Sequence, residues 1–212
     1  MTCKPVNKAA WLMAKNKGRG GGASKGQVRI IGGAQRGLRL QFVDQGGDLR
    51  PSSDRLRETL FNWLQFELPG LRVLDLFAGS GVLGAEALSR GAATATLIEK
   101  KRERAVDLDR QLQPLFAERA CVEARDALIW LQQPATPFDL VFVDPPYDLG
   151  LVEPACRSLE QHGWLAPQAW VYVESRSHDS PPQVPARWQL HREKRAGEIH
   201  ARLFRCASSD AR

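Results

Sequence analysis

The sequence predicts an α/β fold, doubly wound with an antiparallel ending, and three observations support that reading. From residue 71 onward the apolar runs "RVLDLFA", "ATLIE", "CVEA", "FDLVFV" and "AWVYVE" alternate with helical patterns. Strands this apolar imply a parallel sheet covered by helices on both faces. The first of them runs into "GSGVLG", a glycine-rich turn of the kind that brings a ligand to the carboxyl edge of such a sheet. Finally, a polar, proline-rich stretch, "SHDSPPQVPAR", precedes "WQLHREKRAGEIHARLFR", which reads as a closing hairpin around Ala196-Gly197.

Taken in order, residues 1–26 are lysine- and glycine-rich with little periodicity, and are expected to form a flexible basic arm. "QVRIIGGAQRGLRLQFV" reads as a hairpin with Arg29, Arg36 and Arg39 facing outward. In "RPSSDRLRETLFNWLQF", Pro51 and the Ser52–Asp54 cluster signal a helix start. Leu56, Leu60, Trp63 and Leu64 then recur at helical spacing on one apolar face. Later helices are expected at about 81–90, 101–113, 126–133 and 150–161. The domain reading is a hairpin-and-helix unit over 27–69, a sheet domain over 70–206 and a tail over 207–212.

At 212 residues the chain can bury about 70% of its unfolded surface and needs no covalent staples. Cys3, Cys121, Cys156 and Cys206 are scattered with no CxxC pair, and the four histidines show no ligand spacing. A disulfide framework or a structural metal is therefore not expected. No apolar run approaches the roughly 18 residues of a membrane span, and "AAWLMA" is too short for a secretory core. A cytoplasmic monomer is the expectation. Residues 1–43 carry nine Lys/Arg and no acid, whereas the remainder of the chain is net −3 within an overall +6. Positive charge gathered into one end suggests a polyanion partner, above all a nucleic acid.

Gly79, Gly81 and Gly84 form a literal GxGxxG, and Glu99 ends the next strand twenty residues after Gly79. An acid there can accept hydrogen bonds from ribose hydroxyls, so an adenosine-bearing ligand fits. Spacing alone does not separate a nicotinamide or flavin dinucleotide from S-adenosylmethionine. Asp75 favours the latter, because a carboxylate inside the first strand suits a ligand with a positive centre and an ammonium group. Asp126, after the third strand, suits either the exocyclic amine of adenine or the N-cap of the helix it begins.

The fourth strand ends in Asp144-Pro145-Pro146-Tyr147, facing the same crevice. An amino group conjugated to a base is a poor nucleophile. It improves when two acceptors hold its N–H groups and draw the nitrogen toward tetrahedral geometry. The Asp144 carboxylate and the Pro145 carbonyl are adjacent acceptors, and the prolines fix the backbone between them. Tyr147 offers a face on which a flipped-out base can stack. Methyl transfer by in-line displacement then rests on positioning, with Asp144 near the charge that develops on nitrogen.

"DLFAGSGVLGAEALSRGA", "DPPY" and "RPSSDRLRETLFNWL" together resemble the bacterial small-subunit ribosomal RNA methyltransferases of the D type, from about Gln27 to Cys206. The resemblance implies a class I S-adenosylmethionine-dependent methyltransferase fold, Rossmann-like, with a seven-stranded sheet whose last strand is antiparallel. It implies methylation of a guanine N2 in 16S ribosomal RNA, within a partly assembled small subunit. By position it places the cofactor at Asp75, Phe77, Gly79 and Gly81, with Glu99 on the ribose and Asp126 and Ala127 near adenine. The guanine falls to Asp144 through Tyr147, and Arg50, Arg55 and Arg57 meet RNA. Because DPPY serves planar amines generally, an adenine N6 in DNA or RNA is the alternative target. The long basic arm departs from the family and is expected to add only nonspecific phosphate contacts.

Overall fold

A computed structural model describes residues 24–44 and 53–208. Strands β1 (Ser24–Arg29) and β2 (Arg39–Asp44) pair antiparallel as a separate hairpin, followed by helix α1 (Asp54–Trp63). Strand β3 (Arg72–Asp75) and helix α2 (Val82–Ser89) open the main sheet, continued by β4 (Thr94–Glu99) and α3 (Arg102–Phe116). Next come β5 (Ala120–Ala124), α4 (Ala127–Trp130), β6 (Phe138–Val143) and α5 (Val152–Gln161). The chain ends with β7 (Leu165–Arg176), β8 (Trp188–Ala196) and β9 (Ile199–Cys206). The seven strands lie in the order β5-β4-β3-β6-β7-β9-β8. The strands β3 to β7 pair in parallel, and β9 runs antiparallel to both β7 and β8.

Strand alternation splits the core in two. Val73, Leu97, Leu140, Phe142 and Tyr172 point to one face, under α1, α2, α3 and the hairpin. Leu74, Ile98, Val141, Val143 and Val173 point to the other, under α4 and α5. Each fully buried side chain of this size contributes about 1.5–3 kcal/mol, so a one-residue slip of any strand would exchange the two cores. On the α4–α5 face Trp130 stacks on Trp164 with centroids 4.3 Å apart. At the amino ends of the strands Arg72 clamps Asp139 in a two-pronged ion pair, tying β3 to β6 opposite the ligand edge.

The hairpin shares the first core, because Val28, Ile30 and Leu40 are buried in the same cluster as Leu60 and Leu88. Its connection is moulded on the end of α2. Ala34 N–H donates to the Ser89 carbonyl at 2.7 Å, Gln35 N–H to Ser89 Oγ at 2.9 Å, and Ser89 Oγ–H to the Gly32 carbonyl at 2.6 Å. Gly33 has φ +75°, and a Cβ there would lie 2.0 Å from the Ser89 carbonyl oxygen, so only glycine fits. The side-chain amide of Gln111 on α3 substitutes for a strand neighbour, exchanging two hydrogen bonds with the backbone of Gln41 on β2.

Several boundaries differ from the sequence reading, β7 among them, which runs Leu165–Arg176 rather than over "AWVYVE" alone. Strand β1 begins at Ser24, so the last three residues of the expected arm belong to the hairpin; residues 1–23 lie outside the described residues. Helix α3 runs through Pro114 to Phe116, three residues beyond the expected end, with Phe116 buried as its anchor. Helix α4 is a single turn rather than 126–133. Past Trp130 the bonds tighten to Gln132 N–H on the Ile129 carbonyl and Gln133 N–H on the Trp130 carbonyl, and Pro134 disfavours helical backbone at Gln133. In the expected tail, Ala207 N–H donates to the Arg187 carbonyl at 2.8 Å. Among the described residues, no helix is long and apolar enough to cross a membrane, and no His/Cys/Asp/Glu group could hold a metal.

Candidate active site

Strand period and register bring four carboxylates to one edge. Asp75 lies opposite Leu97 of β4 and Phe142 of β6. Glu99 and Asp144 therefore sit one side-chain repeat further along the neighbouring strands, on the same face. Val143 pairs with Val173, which brings Glu174 of β7 level with Asp144. Across the carboxyl edge the row reads Glu99, Asp75, Asp144, Glu174, on the face covered by α1, α2 and α3.

Asp75 is 2% exposed, and its Oδ2 accepts from Gly84 N–H at 3.0 Å, seating the first turn of α2 on the end of β3. Burial pushes its pKa up to about 7, against the pull of the Gly84 amide and with the help of the negative Glu99. Glu99 is also buried. Its Oε2 accepts from Gly79 N–H at 3.0 Å and its Oε1 from Lys101 N–H at 2.7 Å, while Arg104 Nη1 lies 3.5 Å away. Desolvation raises its pKa even though the Lys101 amide, Arg104 and the Gly79 amide all favour the charge. One carboxylate thus holds the glycine loop and the start of α3 together. Gly81 caps α2 with φ +74° and no side-chain cap, and a Cβ there would lie 2.3 Å from Leu108 Cδ1. Over this loop, between β2 and the start of α3, lies a cavity of about 550 Å³ lined by Phe42, Gly79, Ser80, Lys101 and Arg104.

Phe77 is half-buried against the α4–α5 core. Asp126 is the N-cap of α4, accepting from Leu128 N–H at 3.0 Å and Ile129 N–H at 3.3 Å, with Lys100 Nζ 3.1 Å away. Desolvation opposes its charge, yet Lys100 and the two amides together keep its pKa below the usual value. Ala127 is buried behind it.

Asp144 is half-buried, Pro145 buried, Pro146 exposed and Tyr147 half-buried. Sequence reasoning missed what lies behind them. Glu174, 0% exposed, accepts from Tyr172 Oη–H at 2.7 Å and from Tyr147 Oη–H at 3.3 Å. Burial, then Asp144 and Glu174, push the Tyr147 phenol far above its ordinary range, so it stays a neutral donor. Its ring is thereby held from below by a fixed acceptor. The signal was present in "AWVYVE", an apolar strand ending in an acid in the same way as "ATLIE". Arg104, beside Glu99, was also missed.

The model of the family described as "Conserved hypothetical protein 95" matches residues 28–205. The chain belongs to that family. It is 50% identical over 182 residues to the "Ribosomal RNA small subunit methyltransferase D" of Escherichia coli K12, covering 86% of this chain and 91% of that protein. It is 43% identical to the protein of the same name from Haemophilus influenzae, covering 85% and 95%. The solved structure of the Escherichia coli methyltransferase-like protein yhhF superposes with a TM-score of 0.80 at 49% identity, covering 86% of this chain and 99% of that one. The fold is thus that of the class I methyltransferases, with the antiparallel strand β9 near the sheet's far edge.

The arginines expected to meet nucleic acid divide. Arg29, Arg36, Arg39 and Arg55 are exposed, although Arg29 is paired with Asp54. Arg50 lies outside the described residues. Arg57 is a correction. Its side chain is 0% exposed, donating to Asp54 Oδ1 at 2.5 Å and the Arg29 carbonyl at 2.9 Å, and lying 3.6 Å from the fully buried Glu86. It joins α1 to the hairpin and α2 from inside the core and has no free surface for a phosphate.

Proposed function

We infer that the protein transfers a methyl group from S-adenosylmethionine to the exocyclic N2 of a guanine in 16S ribosomal RNA. The observation that carries this reading is the carboxylate row, which sets the acceptor-bearing DPPY turn two strands from Glu99 on one sheet face. The residues present fit the cofactor. Asp75, buried and near neutrality, gains a partner in a cationic group, Glu99 retains lone pairs for ribose hydroxyls, and the glycine loop has no side chains to block close approach. When bound, S-adenosylmethionine supplies an electrophilic methyl on a sulfonium.

Everything else falls to this chain. Asp144 and the Pro145 carbonyl accept the two N–H groups of the guanine amine, raising its nucleophilicity. Tyr147 stacks on the base, its ring held by Glu174. As nitrogen becomes cationic, Asp144 stabilises it and receives its proton. Cys156 and Cys206 are buried, with thiols pushed up to about 12 by desolvation, and take no part. The substrate is read as a partly assembled small ribosomal subunit, with the protein acting as a monomer in the cytoplasm.

The test is methyl transfer from labelled cofactor to small subunits lacking the modification, with free 16S RNA and plasmid DNA alongside. N2-methylguanosine is expected, chiefly with the particles. Asp144→Asn should bind cofactor normally and lose at least about a hundredfold in turnover. Retained turnover in that variant, or N6-methyladenosine as the product, would sink the assignment.

A further inference from the structure

The closing hairpin carries positive charge that the reaction described above does not use. Strand β9 starts where β7 ends, with Ile199 opposite Arg176. The β8–β9 turn therefore projects beyond the carboxyl edge of the sheet, the edge that bears Asp144 and Glu174. Its far side meets the first turn of α1 across a groove of about 450 Å³, lined by Ser53, Arg55, Thr59, Lys194, Arg195 and Gly197. Arg55, Lys194 and Arg195 are all exposed. Among the described residues none of the three takes part in a salt bridge. Asp54 is paired with Arg29 and Arg57, and Glu193 with His200.

The hairpin that presents these cations is rigid. Arg202 donates to His200 Nδ1 at 2.6 Å, which leaves His200 Nε2–H to donate to Glu193 at 2.8 Å. The turn is pinned to the end of β7 by Ser177 N–H on the Glu198 carbonyl at 2.7 Å and by Ser177 Oγ–H on the Gly197 carbonyl at 3.1 Å. Three exposed cations outside any salt bridge, gathered in one concave site, are suited to a chain of phosphates rather than to a single counter-ion. The groove and the DPPY turn share the carboxyl edge of the sheet, where phosphates flanking a base drawn out toward Tyr147 would run.

We propose that the groove between α1 and the β8–β9 turn is a phosphate track for the single-stranded RNA flanking the target guanine, with Lys194 and Arg195 as direct contacts beside Arg55. This rests on the RNA methyltransferase reading and extends it to a surface on the closing hairpin. Contacts of this kind position the strand without reading its sequence, so their loss weakens substrate binding rather than chemistry.

The experiment compares the full-length protein with Lys194→Gln/Arg195→Gln and with a control, Arg157→Gln, exposed on α5. Binding and methylation of small-subunit particles rebuilt on unmodified 16S transcript are followed across a range of KCl, with cofactor affinity by calorimetry. The double variant is expected to raise KM for particles about tenfold to a hundredfold, with cofactor affinity unchanged. Its plot of log affinity against log salt should be shallower by about 1.4, at roughly 0.7 per lost single-strand phosphate contact. An unchanged KM and salt slope overturns the proposal. So does a raised KM with an unchanged slope, which would mean that the groove meets a ribosomal protein face. If particles are bound with the expected slopes but no N2-methylguanosine forms, the reaction assignment fails and the phosphate track stands. No binding of particles by the wild-type protein at any salt overturns both.

Discussion

Replacing Arg57 by methionine keeps most of the side-chain volume and removes the charge, which separates two views of this residue. The structure places the guanidinium in the core, against the Arg29 carbonyl, Asp54 and the fully buried Glu86. After substitution Glu86 keeps Arg90 Nε at 2.7 Å and Ile31 N–H at 2.8 Å, so it is not orphaned. The Arg29 carbonyl loses this donor. Removing one partner of a buried ion pair costs about 3–5 kcal/mol. Because Asp54 is 54% exposed, its share is screened, and the low end, about 3 kcal/mol, is expected. For a chain of this size that lowers Tm by roughly 6–12 °C. Calorimetry and urea denaturation at constant m-value measure it, with RNA affinity recorded at a temperature where the variant is fully folded. A Tm within roughly 2 °C of wild type, together with a clear loss of RNA affinity, would refute the buried assignment.

Two further outcomes follow from the carboxylate row. Folding raises the pKa of Asp75 to about 7, so the native apo protein holds that proton more tightly than the unfolded chain, and stability from this group is lost as pH rises from about 4 to about 7. Asp75→Asn should therefore gain on wild type by up to roughly 4 kcal/mol across that interval and stay level above it; a difference that does not change with pH would contradict this. Glu174→Gln leaves one tyrosine hydroxyl facing an amide N–H, and is expected to cost about 1.5–3 kcal/mol while lowering turnover with cofactor affinity held. In a double-mutant cycle with Tyr147→Phe the losses should overlap, and strict additivity would show that the two residues are uncoupled.

Much of this was legible in residue order because strand period and loop chemistry are local properties. "FDLVFV" is observed as β6 over Phe138–Val143 without adjustment, and "VLDLFAGSGVLG" passes from strand to helix where its glycines lie. What depended on distant partners was not legible. Arg57 was expected to meet RNA because the resemblance sets it in a basic helix opening with Arg50 and Arg55. It nevertheless shares a helical face with Leu60, Phe61 and Leu64, at offsets of three, four and seven, and Glu86, which makes burial tolerable, lies 29 positions away. Glu174 went unread because its meaning comes from Tyr147 and from register with β6. Of the two readings of Asp126, its amide bonds make it the cap of α4.

The moulding of the β1–β2 connection onto α2 sets a timetable for synthesis. The hairpin is made early, but Ile31 needs Glu86, 55 residues later, and Gly32 needs Ser89, 57 residues later. At elongation rates of about 5–20 residues per second this is a wait of roughly 3–11 s, during which a lone two-stranded ribbon is marginal. Val28, Ile30 and Leu40 stay wet throughout that interval, and the ribbon can lock only once α2 has left the exit tunnel. The hairpin is thus made well before it can close, and the nascent chain is most open to proteases and to mispairing until α2 has been made.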